Sequence, residues 1–179
     1  MENQLTTQKV GAFGERAVEA ELLRRGWVPA NVNPTLKNAA DYDIFAYKEP
    51  AQVQLRVKTC GPSQPGFQFG GFKPGKEILS SGFSKSDFTI LVRMGKDRAN
   101  DQFFVVPTCV VREQLAVYRR QYLMTPRRDG HPKKDLGHWT LYLADLKSGE
   151  DRPSYGIQRR WTKYIDNWAL LEKVTNSKN

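Results

Sequence analysis

Residues Gln52 to Thr59 (QVQLRVKT) alternate polar and apolar side chains, and this alternation restricts the fold more than any other feature of the chain. Successive side chains of a β-strand point to opposite faces, so Val53, Leu55 and Val57 share one face while Gln54, Arg56 and Lys58 form a polar row on the other. A strand half-buried in this way needs partners. One precedes it directly: Asp43 to Tyr47 (DIFAY) reads as a second strand, and Lys48-Glu49-Pro50-Ala51 supplies the turn of a hairpin. If the two strands pair, the Asp43 carboxylate and the Lys58 ammonium converge near the strand ends.

The rest of the chain supplies material for a sheet flanked by helices. Val10, Phe13, Ala17, Val18, Leu22 and Leu23 fall at the helical period, which predicts an amphipathic helix over 7–25 that stops at Gly26. Trp27-Val28-Pro29 begins a short extended segment and 31–40 a loop. Glycines and prolines crowd 61–75, where a long loop is expected. Segments 87–94 and 102–107, rich in β-branched and aromatic residues, read as a second hairpin. A helix is expected from Thr108 to about Met124, a basic loop through 125–137, a strand over 139–146, and a packed C-terminal helix at about 159–174. At 179 residues, the order predicts one α/β domain over 1–179 with a central mixed sheet.

Lys and Arg number 28 against 19 Asp and Glu, giving a net charge of +9, which favours a polyanionic partner. The excess concentrates at Arg119, Arg120, Arg127, Arg128, Lys133 and Lys134, with Asp129 the single acid between them. Nucleic acid is the expected partner, with those six residues on its phosphates. No stretch approaches 18 consecutive apolar residues and Met1 to Gln8 lacks the features of a leader, so no membrane association is expected. Cys60 and Cys109 are too few for a disulfide framework or a four-thiolate zinc site, and a reducing, cytoplasmic setting is expected.

Other motifs carry less. His131 and His138 lack companion ligands and read as surface residues, and Cys60 reads as packing rather than a nucleophile. The glycine-rich stretch GFQFGGFKPGK is no P-loop, because Lys76 is followed by Glu77. Phe67, Phe69 and Phe72 beside Lys73 and Lys76 could stack on bases or plug the core.

Taken in order, GAFGERAVEAELLRRGW, DYDIFAY and QLRVKT resemble the opening helix, the aspartate strand and the lysine strand of the PD-(D/E)XK nuclease superfamily. Small members similar to Holliday-junction resolvases are the nearest in kind, and FFVVPTCVVRE and YIDNWALLE extend the resemblance over most of the chain. It implies a restriction-endonuclease-like fold and Mg²⁺- or Mn²⁺-dependent hydrolysis of DNA, with RNA an open alternative and a homodimer one open assembly. Asp43 matches the metal-binding aspartate, Lys58 the catalytic lysine, and Glu15 the helix glutamate that assists metal or water.

The chain departs from the pattern at Arg56, where relatives carry Glu, Asp or Gln, because arginine offers no oxygen to a cation. Gln54, Asp41 or Glu49 could compensate; alternatively Arg56 grips the scissile phosphate, or the domain is a degenerate nuclease that binds nucleic acid or protein. The nuclease is the leading expectation.

Overall fold

A computed structural model describes residues 7–32, 42–70, 87–143, 156–157 and 159–173. The elements run α1 (Thr7–Arg24), β1 (Val28–Asn31), β2 (Ile44–Lys48), β3 (Ala51–Cys60), β4 (Gly66–Gly70), β5 (Phe88–Arg93), β6 (Gln102–Pro107), α2 (Thr108–Met124), β7 (His138–Leu143), β8 (Gly156–Ile157), a 3₁₀ segment (Arg159–Tyr164) and α3 (Ala169–Glu172). They cluster into two compact units. The first takes its residues from 1–64, 84–108 and 163–179, the second from 65–83 and 109–162.

The first unit holds a five-stranded mixed sheet in the order β1-β2-β3-β5-β6, antiparallel throughout except for the parallel β3–β5 pair. A parallel step needs a crossover, and the 27 residues from 61 to 87 that join β3 to β5 in sequence are long enough for one. The α/β class with a central mixed sheet flanked by helices is as expected. Val10, Gly14, Val18 and Leu22 recur every fourth residue on α1 and are all buried. Val18 and Leu22 join Ile44, Ala46, Val53, Leu55, Val57, Ile90 and Val92 in one core, closed by Trp168 and Leu171. Trp168 lies 5.6 Å from the Phe103 ring and carries the Arg25 guanidinium 4.8 Å above its own.

Helix and sheet meet closely at Gly14, where a Cβ would overlap the Thr59 hydroxyl and come 2.9 Å from Thr59 Cβ. A side chain at position 14 would hold α1 off the strand that bears Lys58.

The second unit contains α2 and a three-stranded sheet ordered β4-β7-β8. Phe69 pairs with Trp139 and Phe67 with Leu141, and all four are buried. The Tyr118 and Tyr122 rings, one turn apart on α2, meet Trp139 edge-on at 5.6 and 5.3 Å.

Two expectations change. The glycine- and proline-rich stretch is not all loop, since 66–70 forms β4, held by antiparallel pairing to β7. The helical spacing near the C-terminus is realised in two short pieces, separated where Ile165 bridges Phe104 and the Asp166 N–H donates to the Phe103 carbonyl at 2.8 Å. Asp166 takes φ +48°, outside the helical region, so that this segment can cover the β6 edge.

Candidate active site

Asp43 lies one residue before β2, where the β2–β3 ladder opens. Its own N–H donates to the Leu55 carbonyl at 2.8 Å, and its carboxylate Oδ2 accepts the Val57 N–H at 2.7 Å. The side chain thus does what a strand carbonyl would otherwise do. This fixes a carboxylate against the β3 backbone between Arg56 and Lys58, whose side chains stand on the same strand face.

Lys58 is half-buried. Burial, then the neighbouring Arg56 charge, pull its pKa below the ordinary lysine value of 10.5, while Asp43 and, more weakly, Glu15 push it up. An ammonium that loses water and faces a guanidinium gives up its proton more readily, the condition a lysine needs to act as a base. Three sequence-predicted residues, Arg56, Asp43 and Glu15, therefore act on the charge of a fourth, Lys58, within the first unit.

Glu15 is half-buried and braced. The Asn31 amide donates to Glu15 Oε2 and to Glu19 Oε1, both at 2.9 Å, tying one turn of α1 to the sheet edge. Asn31 was not singled out from sequence, because the bond joins residues separated by a helix, a turn and a strand.

The three candidates to replace the oxygen missing at Arg56 fare unequally. Glu49 is exposed in the hairpin turn, at the opposite end of β2 from Asp43 and about 20 Å along the strand. Asp41 lies outside the described residues. Gln54 shares the Arg56 face, and its N–H donates at 2.8 Å to a carboxylate the sequence reading did not single out, Asp87. Asp87 opens the β3–β5 pairing and sits about 13 Å down the strand from Lys58. Among the described residues no group of three or more His, Cys, Asp or Glu side chains is placed to hold a metal. The carboxylates whose charge acts on Lys58 are those of Asp43 and Glu15, and one or two carboxylates plus phosphate and water are a donor set that suits Mg²⁺.

A cleft of about 490 Å³ in the first unit lies elsewhere, lined by Ala17, Glu21, Arg24, Ala99, Asp101, Phe103 and Asp166. Burial raises the pKa of its Asp166 carboxyl, opposed by Arg25.

In the second unit the basic residues divide. Arg120, Arg127, Arg128 and Lys134 are exposed, and the Lys133 ammonium lies 4.6 Å over the Tyr122 ring. Arg119 differs: its Nε and Nη2 donate to the two Asp135 oxygens at 3.0 and 2.6 Å, with its side chain 11% exposed. A bidentate pair this buried is an internal brace, so Arg119 is not a surface cation. His131 and His138 are exposed, and Cys60 is buried with its Sγ donating to the Gln64 carbonyl at 3.2 Å. Phe67 and Phe69 belong to the core of the second unit and are not available to stack on bases; Phe72, Lys73 and Lys76 lie outside the described residues. No described helix is long and apolar enough to cross a membrane.

No protein-family model matches the chain, and no curated protein matches it in sequence. Among solved structures it is similar to the bacterial homing endonuclease I-Ssp6803I, with a TM-score of 0.56 and 15% identity over 98% of this chain and 99% of that one. A weaker likeness, to MepB, has a TM-score of 0.37 and 12% identity over 84% of this chain and 93% of that one, too slight to build on. The chain therefore shares its fold with an endonuclease, across nearly the full length of both.

Proposed function

We propose that the protein is a metal-dependent endonuclease of the PD-(D/E)XK type that hydrolyses phosphodiester bonds in DNA. The observation that carries this reading is the Asp43 carboxylate anchored to the Val57 N–H, which sets it beside Arg56 and a lysine of lowered pKa. Lys58 in its unprotonated form, which its lowered pKa favours, orients a water and takes its proton as the oxygen attacks phosphorus; the P–O bond to the leaving oxygen breaks, and that oxygen leaves with a proton from solvent. Arg56 grips the non-bridging oxygens of the scissile phosphate with its planar fork and offsets the charge that builds there. Asp43, with Glu15, would hold Mg²⁺ or Mn²⁺, which when bound supplies Lewis-acid polarisation of the phosphate. Arg120, Arg127, Arg128, Lys133 and Lys134 serve as phosphate contacts that carry no sequence information.

A second reading, a nuclease fold that binds nucleic acid without cutting it, draws on Arg56, which brings a guanidinium where a third oxygen ligand would stand. Incubating the protein with supercoiled and linear DNA in Mg²⁺, Mn²⁺ or EDTA, beside Asp43→Ala and Lys58→Ala, separates the two. The nuclease reading expects metal-dependent cleavage that both substitutions reduce by at least about 10²-fold. Binding without cleavage under every metal leaves the binder.

A further inference from the structure

The sheet face that carries Arg56 and Lys58 extends beyond them. Cross-strand partners share a face, so Phe45 opposite Gln54 and Tyr47 opposite Gln52 continue the row along β2 and β3, and Val28 opposite Tyr47 brings it onto β1. The other face of these strands is sealed, with Ile44, Ala46, Val53 and Leu55 in one core with Val18 and Leu22 of α1. On this one, Tyr47 is 44% and Val28 65% exposed, Gln52 is exposed, and Phe45 and Gln54 are half-buried. Along β2, Phe45 stands about 7 Å and Tyr47 about 13 Å from Asp43.

We propose that this face is a stacking platform for unpaired bases of the strand entering the active site, so that the substrate is DNA with a single-stranded segment beside the scissile phosphate. The inference rests on the nuclease reading of the Asp43–Lys58 cluster and adds the substrate class to it. The platform is continuous with two cations that complement phosphate. Aromatic rings on a sheet surface stack on any base, and the Gln52 and Gln54 amides offer donors and acceptors to base edges. An uninterrupted duplex would present mainly sugar and phosphate to this face, for which Phe45, Tyr47 and Val28 have no use. A second copy of the chain is the competing occupant. Against it, β1 is only four residues long and contains Pro29, which blunts strand-to-strand pairing at that edge.

The test measures binding of the full chain, in EDTA, to a blunt duplex and to the same duplex carrying a single-stranded tail with 2-aminopurine in its unpaired bases. The tailed DNA should bind about tenfold tighter, the size of a base–aromatic stack. The 2-aminopurine emission should change on binding, and Tyr47→Thr and Phe45→Val together should remove both effects while leaving blunt-duplex affinity unchanged. Equal affinities overturn the proposal, as does a tail preference that survives both substitutions. So does a protein dimer, seen by sedimentation, that Tyr47→Thr dissociates. A parallel cleavage arm in Mg²⁺ separates the two layers: tail binding without cleavage rejects the nuclease and keeps the platform, and equal cleavage of tailed and blunt DNA rejects the platform and keeps the nuclease.

Discussion

Lys58 is a residue its fold holds at a cost. Its pKa in the folded protein lies below the unfolded value of 10.5, so the folded state binds fewer protons there than the unfolded state wherever the two differ. The penalty is absent above 10.5, grows as the pH falls through that value, and is complete once the pH is below the folded pKa. Lys58→Met should therefore raise the melting temperature at neutral pH, with the gain shrinking toward zero as the pH approaches 10.5; thermal melts across that range check the sign. The position of Lys58 was legible in the sequence, because period-two alternation fixes which side chains share a face, and so was the convergence with Asp43. The Asn31 brace on Glu15 and the Arg119–Asp135 pair were not, since each joins side chains whose approach is set by tertiary packing rather than by strand or helix period.

Among the elements, the contact of α1 with β3 is the one on which the cluster depends. It closes at Gly14, so Gly14→Ala should cost about 1–3 kcal/mol in chemical denaturation. Thr59→Ala in the same chain should return only part of that, because the Thr59 Cβ, 2.9 Å from the added methyl, remains. The same substitution should slow cleavage by displacing Glu15. The first hairpin and α1 were legible because each has one apolar face at a clear period, and the second hairpin, buried on both faces, was legible from its density of β-branched and aromatic residues. β4 was not: Gly66 and Gly70 bound it, and strand pairing with β7, about seventy residues away, overrides that local signal. The C-terminal spacing was misleading for a related reason, since Trp161, Trp168 and Leu171 are all buried as a helix face would be, yet the chain between them turns aside to cover the β6 edge.

For the whole molecule, a charge of +9 sets how it meets a polyanion. Binding to duplex DNA should weaken steeply with salt, and Arg127→Ala with Arg128→Ala should flatten the slope of log affinity against log salt by about two. Arg119→Ala belongs to a different class: it removes a bidentate, charge-assisted pair with the half-buried Asp135 and should lower stability by about 1.5–3 kcal/mol. On the proposed mechanism Lys58, tuned by burial and by Arg56 beside a backbone-anchored Asp43, is the base in DNA hydrolysis. The direct test is the pH profile of single-turnover cleavage in Mg²⁺ for the wild-type protein and Lys58→Arg. The wild-type rate should climb along a limb whose midpoint lies below the ordinary lysine range, and Lys58→Arg, which keeps the charge but cannot give up its proton, should lose that limb and about 10²-fold or more in rate. Cleavage by Lys58→Arg at the wild-type rate, with the limb intact, would contradict it.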